Sequence, residues 1–232
     1  MIVYNGIDIT SVAPVKIEDI RVSPIKYNPV IRPRAIRYGA EFVRMGGGER
    51  TVTISFALLV RDMIARQTAL ARLSEWAKTD GEHRIELAID TGRYLTGVCT
   101  SKPEPSARAW WENKLRIVFT CYENPYWTSK QEKTVLCGTA FTALGDAPPL
   151  MRIERTLAAA AQNQTYSNGT QSMTFSQIPA GDMVIDLNAQ TARVGNTSIM
   201  EYYQPSGSFI IPKPGAQTIT GTGSVKYRER WE

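Results

Sequence analysis

The chain has 232 residues, a formal net charge of +5 and one histidine. That length suits one large β domain or two ordinary ones, each able to bury a core. Split after Trp127, the first part carries 18 Lys and Arg against 14 acids and the second 9 against 8, an asymmetry too weak to mark a nucleic-acid binder by itself. Cys99, Cys121 and Cys137 form no CxxC pair and are odd in number, which suits reduced thiols better than a disulfide framework. No basic segment followed by an apolar run opens the chain, so no signal peptide is expected and synthesis in a cytoplasm is. Apolar runs such as residues 56–60 fall far short of the roughly 20 residues that cross a bilayer, so no membrane insertion is expected.

In chain order, Ile2-Val3-Tyr4, Asn5-Gly6 and Ile7-Asp8-Ile9 predict a tight hairpin, because a primed turn needs positive φ at both central positions. Pro14, Pro24, Pro29 and Pro33 then space short β-branched runs, which predicts extended arms or edge strands and excludes a helix. This stretch and its continuation are basic, with Arg21, Lys26, Arg32, Arg34, Arg37, Arg44 and Arg50. Val52, Ile54, Phe56, Leu58 and Val60 alternate with smaller, mostly polar residues, the clearest strand in the chain. Its expected partner is the segment from Tyr38 to Met45, with Gly46-Gly47-Gly48 as the hairpin tip. The triplet is no phosphate cradle, since neither Gly-Lys-Ser/Thr nor a helix follows it.

Asp62 is positioned to cap one helix, over about residues 62–79, with Met63, Leu70, Leu73 and Ala77 on one face, Trp76 at its edge, and Arg66 as a flaw in the stripe. Gly81 is the expected stop. Ile85, Leu87 and Ile89 predict a strand, Asp90-Thr91-Gly92 a turn, and Tyr94 to Thr100 the return. The loop from Lys102 to Trp111, with Trp110 and Trp111, reads equally as an interface or as a lid over the core. Leu115, Ile117, Phe119 and Cys121 alternate in a strand that Asn124-Pro125 stops, which predicts two domains, 1–127 and 128–232.

Beyond Trp127, turn residues recur among short strand patterns, which predicts an antiparallel sandwich. Residues 182–187 and 192–194 are expected to pair. Residues 157–161 have helix propensity that a sheet can override. Residues 225–231 form a last strand with Lys226, Arg228 and Arg230 on a solvated face and Val225, Tyr227 and Trp231 on the other.

The residues give little support to catalysis. Every histidine mechanism would depend on His83, which reads as a surface turn residue, and one histidine with three scattered cysteines supplies no metal-site spacing. Glu18 and Asp19 point to opposite faces of a strand and make a poor carboxylate pair; a glycosidase built from distant carboxylates stays formally open. No enzyme, no cofactor and no metal are expected. Tyr202, Tyr203 and Trp231 are the candidate sugar contacts, although aromatics at such positions are more often core.

The order of these elements resembles that of siphophage distal tail (Dit) proteins. The first half does so through Arg50-Thr-Val-Thr-Ile-Ser-Phe56, the helix with Trp76-Ala77, Gly92-Arg-Tyr94 and Ile117-Val-Phe-Thr-Cys-Tyr-Glu-Asn-Pro-Tyr126. The second does so through Gly181-Asp-Met-Val-Ile-Asp186, Ser208-Phe-Ile-Ile-Pro-Lys-Pro-Gly215 and Val225-Lys-Tyr-Arg-Glu-Arg-Trp231. The resemblance implies a mainly β fold: an N-terminal β-barrel or sandwich ring domain with one packed helix, and a C-terminal galectin-like β-sandwich.

It further implies a structural protein of the virion tail tip. Six copies would form a ring that joins the tail tube protein to a tail-tip or tail-associated protein and passes DNA only as cargo, with receptor-binding protein as a further partner. On that reading Arg32, Arg34, Arg37, Arg44, Gly46, Gly47, Gly48 and Arg50 are candidate ring-contact or channel residues, and Tyr202, Tyr203 and Trp231 candidate outward docking or sugar contacts. The rival is a carbohydrate-binding β-sandwich module that recognises a host cell surface.

Overall fold

The computed structural model describes residues 1–33, 40–105, 114–204 and 207–232. The protein is mostly strand, none of its described sheets closes on itself, and two helices accompany them. It divides into two compact units, Met1–Trp127 with Glu232, and Thr128–Trp231.

In the first unit, β1 (Ile2–Tyr4) and β2 (Ile7–Asp8) form the expected hairpin, with Asn5 at φ 50° and Gly6 at φ 77°. A four-residue helix, α1 (Ile9–Val12), follows, capped by Asp8, whose carboxylate accepts from the Thr10 amide at 2.9 Å. Next come β3 (Val15–Val22), β4 (Lys26–Pro33), β5 (Ala40–Leu58), helix α2 (Met63–Ala77), β6 (His83–Leu87), β7 (Asp90–Pro105) and β8 (Lys114–Cys121). Antiparallel pairing runs β2-β1-β6-β7-β8-β5, and both β3 and β4 pair with β5.

The inward faces of these strands bury Val52, Ile54, Phe56, Ile85, Leu95, Ile117 and Phe119, and α2 covers them with Ala69, Leu73, Trp76 and Ala77. Full burial of such a side chain contributes about 1.5–3 kcal/mol. The aromatic centre is tight: Tyr4 lies 4.7 Å from Phe119 and edge-on to Trp76 at 5.7 Å, and the Trp76 indole donates to the Ile7 carbonyl at 3.1 Å.

Helix α2 begins as expected, with the Asp62 carboxylate accepting from the Ala65 amide at 2.7 Å. Its buried face is rotated from the expected one: Met63 is half exposed, and Ala69 and Trp76 are buried instead. The helix ends through the Lys78 amide bonding to Glu75 rather than through Gly81. Leu87 pairs with Asp90, so the next hairpin turns at Ala88 and Ile89, which leaves Ile89 exposed where an inward strand position was expected. Trp110 and Trp111 lie outside the described residues.

The second unit contains β9 (Trp127–Ser129, its first residue belonging to the first unit), β10 (Lys133–Leu136), β11 (Ala140–Ala143) and β12 (Ala147–Leu157). Then come β13 (Ala161–Ser167), β14 (Ser172–Ile178), β15 (Gly181–Asp186), β16 (Thr191–Val194) and β17 (Thr197–Ser198). A 3-10 turn (Met200–Tyr202) leads into β18 (Tyr203–Gln204), β19 (Gly215–Thr218) and β20 (Ser224–Trp231). One sheet runs β17-β16-β15-β12-β20 with β10 on β20; a second runs β13-β14-β18, and β11 pairs β19. Their inner faces enclose a separate core that includes Ile153, Tyr166, Phe175, Ile185 and Val225. The alanines of residues 158–161 form a bend and the start of β13, the sheet having overridden their helix propensity.

The expected solvated basic face of β20 is not what forms. Carboxylates far away in the chain reach it, Glu154 from β12 and Glu132 from just before β10: Lys226 pairs with Glu154 at 2.6 Å, Arg228 with Glu132 at 3.5 Å, and Arg152 on β12 bridges both acids. The alternation also breaks, because Pro148 and Pro149 bulge β12 opposite Glu229 and bury both Glu229 and Arg230. Glu229 is satisfied there by the Lys133 ammonium at 2.7 Å and the Leu144 amide at 3.0 Å.

Candidate functional site

The 19 residues of β5 form one continuous strand with two different environments. From Val52 to Ala57 it lies between β3 and β8, paired on both sides. From Ala40 to Glu49 it pairs with β4 alone among the described residues, so this half and β4 make a two-stranded arm. β3 and β4 run in succession along the same side of β5, and neither has a second strand partner among the described residues. The prolines at 24, 29 and 33 suit this outer position, since a ring nitrogen gives nothing to a ladder.

The glycine triplet is therefore not a hairpin tip. It sits inside β5, where Tyr27 pairs with Gly48 and Pro29 with Met45, so that Gly46 and Gly47 face only Asn28 and form a bulge. The partners of 52–58 are accordingly β3 and β8, and residues 40–45 pair with β4. The strand pattern alone did not separate these arrangements, because glycine serves tips and bulges alike. Gly48 has a steric reason of its own: a Cβ there would collide with the Ile25 methyl and press on the Tyr27 ring.

Arg32 and Arg44 lie on the arm, Arg32 in register with Glu41 and Arg44 with Val30, while Arg34 and Arg37 fall outside the described residues. The register opposes acids to two of the arm's cations, with Lys26 3.9 Å from Glu49. Arg50 differs from all of them. It is 4% exposed, sits opposite Cys121 on β8 at the foot of the arm, and its field favours the Cys121 thiolate. Burial outweighs that field and, helped by the Glu82 charge, pushes the thiol up to about 12.

Ile25, Tyr27 and Glu232 complete the arm's root without any sequence signal that marks them. The Tyr27 hydroxyl donates to the Glu232 carboxylate at 2.6 Å, a contact that holds the phenol's pKa far above its ordinary value.

In the second unit, the aromatic candidates do not assemble into one platform. Tyr203 belongs to the three-stranded sheet, where its ring packs 5.8 Å from Phe175 and 5.7 Å from Phe209 and its hydroxyl donates to the Gly207 carbonyl at 3.1 Å. Tyr202 packs partly on the same core, its phenol pKa raised by a hydrogen bond to Glu201. Trp231 ends β20 in the other sheet. No cluster of three or more metal-ligating side chains occurs among the described residues. No helix among them is long and apolar enough to cross a membrane.

No protein-family model matches the chain, and no curated protein does. Among solved structures, the crystal structure of the Dit protein of phage SPP1 matches 100% of this chain and 98% of its own length, at 15% identity and a TM-score of 0.77. It is described as a paradigm of the hub adsorption apparatus in phages that infect Gram-positive bacteria. A chain of the phage P2 baseplate in its activated, calcium-bound conformation covers 97% of this chain at 9% identity and a TM-score of 0.45. The protein has a Dit-like fold along its whole length.

Proposed function

We propose that this chain is a structural component of a bacteriophage tail: a distal hub, not an enzyme, carried at the tail tip. The observation behind this reading is the full-length correspondence in fold to the SPP1 hub protein. We assign ring formation, with six copies, to the first unit. Its arm of β4 and residues 40–49 and the outer edge of β3 supply the surfaces from which strand-mediated contacts between copies would be built, and closing a ring of head-to-tail contacts removes such edges. On this reading the arm, whose strands include Arg32 and Arg44, belongs to the contact with a neighbouring copy or to the lining of the channel through which DNA passes. Arg50 contributes from beneath, by holding the arm's foot. We read the second unit as a galectin-like sandwich that carries docking contacts for other tail components. Tail tube protein, a tail-tip protein and a receptor-binding protein are the partners.

Negative-stain microscopy with mass determination on the concentrated full chain tests this. A ring of six 25.8 kDa chains weighs about 155 kDa, and that ring is the expected product, alone or after addition of tube protein as a template. A chain that stays monomeric under both conditions defeats the hub reading. A ring that persists when the arm is shortened by removing residues 28–47 defeats the role given to the arm.

A further inference from the structure

The outer face of the second unit contains a polar cleft of about 510 Å³ across β12, β15 and β16, lined by Arg152, Glu154, Val184, Asp186, Thr191 and Arg193. The six come from two cross-strand rows, Arg152-Asp186-Thr191 and Glu154-Val184-Arg193, so the pleat turns all of them to one face. Their inward neighbours Ile153, Ile185 and Ala192 are in the core, which fixes the floor from below.

Two groups are held rigid. The Arg152 guanidinium is clamped by both oxygens of Glu132, at 2.8 and 2.9 Å, and by Glu154 at 2.5 Å. Glu154 is kept ionised by Arg152 and by Lys226. Other capacity is left open. The Asp186 Oδ1 accepts from the amides of Asn188 and Ala189, both at 2.9 Å, which leaves Oδ2 to the cleft. The side chain of Arg193, exposed on β16, has no hydrogen bond or ion pair with any described residue.

We propose that this cleft binds a neutral saccharide. Its two arginines and two carboxylates cancel, so an ion of either sign gains little, whereas a ligand that offers both hydroxyl donors and acceptors meets partners for each. Val184, half buried between Glu154 and Arg193, supplies an apolar patch for the C–H face of a sugar ring. An extended peptide fits less well, because β12 and β15 are both paired on their two sides and offer no backbone edge to add a strand to. The site goes beyond the hub reading and is independent of it, since its failure leaves the mass of the ring untouched.

The test is a titration of the isotope-labelled full chain with glucose, galactose and N-acetylglucosamine disaccharides to about 10 mM, enough to register millimolar affinity. The expected result is that one of them shifts the amides of Val184, Thr191 and Arg193. Arg193→Ala then weakens binding about ten-fold, Thr191→Val by less, and Tyr202→Ala leaves it unchanged. Absence of cleft shifts with all three sugars overturns the proposal. So does binding that survives Arg193→Ala and Thr191→Val but is lost in Tyr202→Ala.

Discussion

The two halves of β5 share a backbone and little else. In residues 52–58 the sequence alternates, and Val52, Ile54 and Phe56 are 0% exposed with strands on both sides. In residues 40–49 the alternation fails, three glycines enter, and among the described residues β4 is the one strand that pairs with it. One half is a strand because its own side chains have a core to enter; the other is a strand because β4 lies beside it. Stability is accordingly concentrated in the first and assembly potential in the second.

The largest way to break that contrast is Phe56→Ala, which empties a fully buried position. It is expected to cost about 3–5 kcal/mol, read as a shift in the denaturation midpoint of the first unit. Gly48→Val acts at the seam. It forces Ile25 and Tyr27 apart for about 1–3 kcal/mol, and hydrogen exchange should quicken at the amides of 40–49 while those of 52–58 stay protected. Quickening of both halves together would show that the division is not real.

Cys121 sharpens the picture through pH. Its thiol is raised from 9.0 to about 12 in the folded protein, so the native state keeps a proton that the unfolded chain releases. The resulting stability is complete below pH 9 and is lost as pH rises towards 12, a slope that Cys121→Ala should lessen in equilibrium unfolding. The smallest expected effect is that of Tyr27→Phe, which removes the bond to Glu232 for about 0.5 kcal/mol. It should loosen the arm's root without moving the midpoint of the core.

What the sequence disclosed followed from how local the cause was. Asn5-Gly6, the Asp62 cap, and the pairing of Gly181–Asp186 with Thr191–Val194 rest on residues a few positions apart, and all three are present. The buried face of α2 departs from the one its periodicity predicts because Trp76 is drawn inward by Tyr4 and Phe119, from elements far away in the chain. The β20 cations look solvated until Glu132 and Glu154 arrive from far away in the chain. The saccharide cleft left no trace at all, since Arg152, Asp186 and Arg193 become neighbours only through sheet register. The prolines foreshadow the arm, but the glycine triplet lies within β5 instead of at a hairpin tip, because a glycine run inside a strand is indistinguishable by pattern from one between strands.

The continuity of β5 also bears on mechanics. No break in the strand separates the arm from the sheet, so a pull on residues 40–49 passes along covalent backbone into seven register pairs with β3 and eight with β8. Those antiparallel bonds stand across the direction of pull and are loaded in shear, so they resist together instead of opening one after another. The arm works as a handle forged in one piece with its blade, and tension taken up along residues 40–49 is borne by a strand whose inward residues are fully buried.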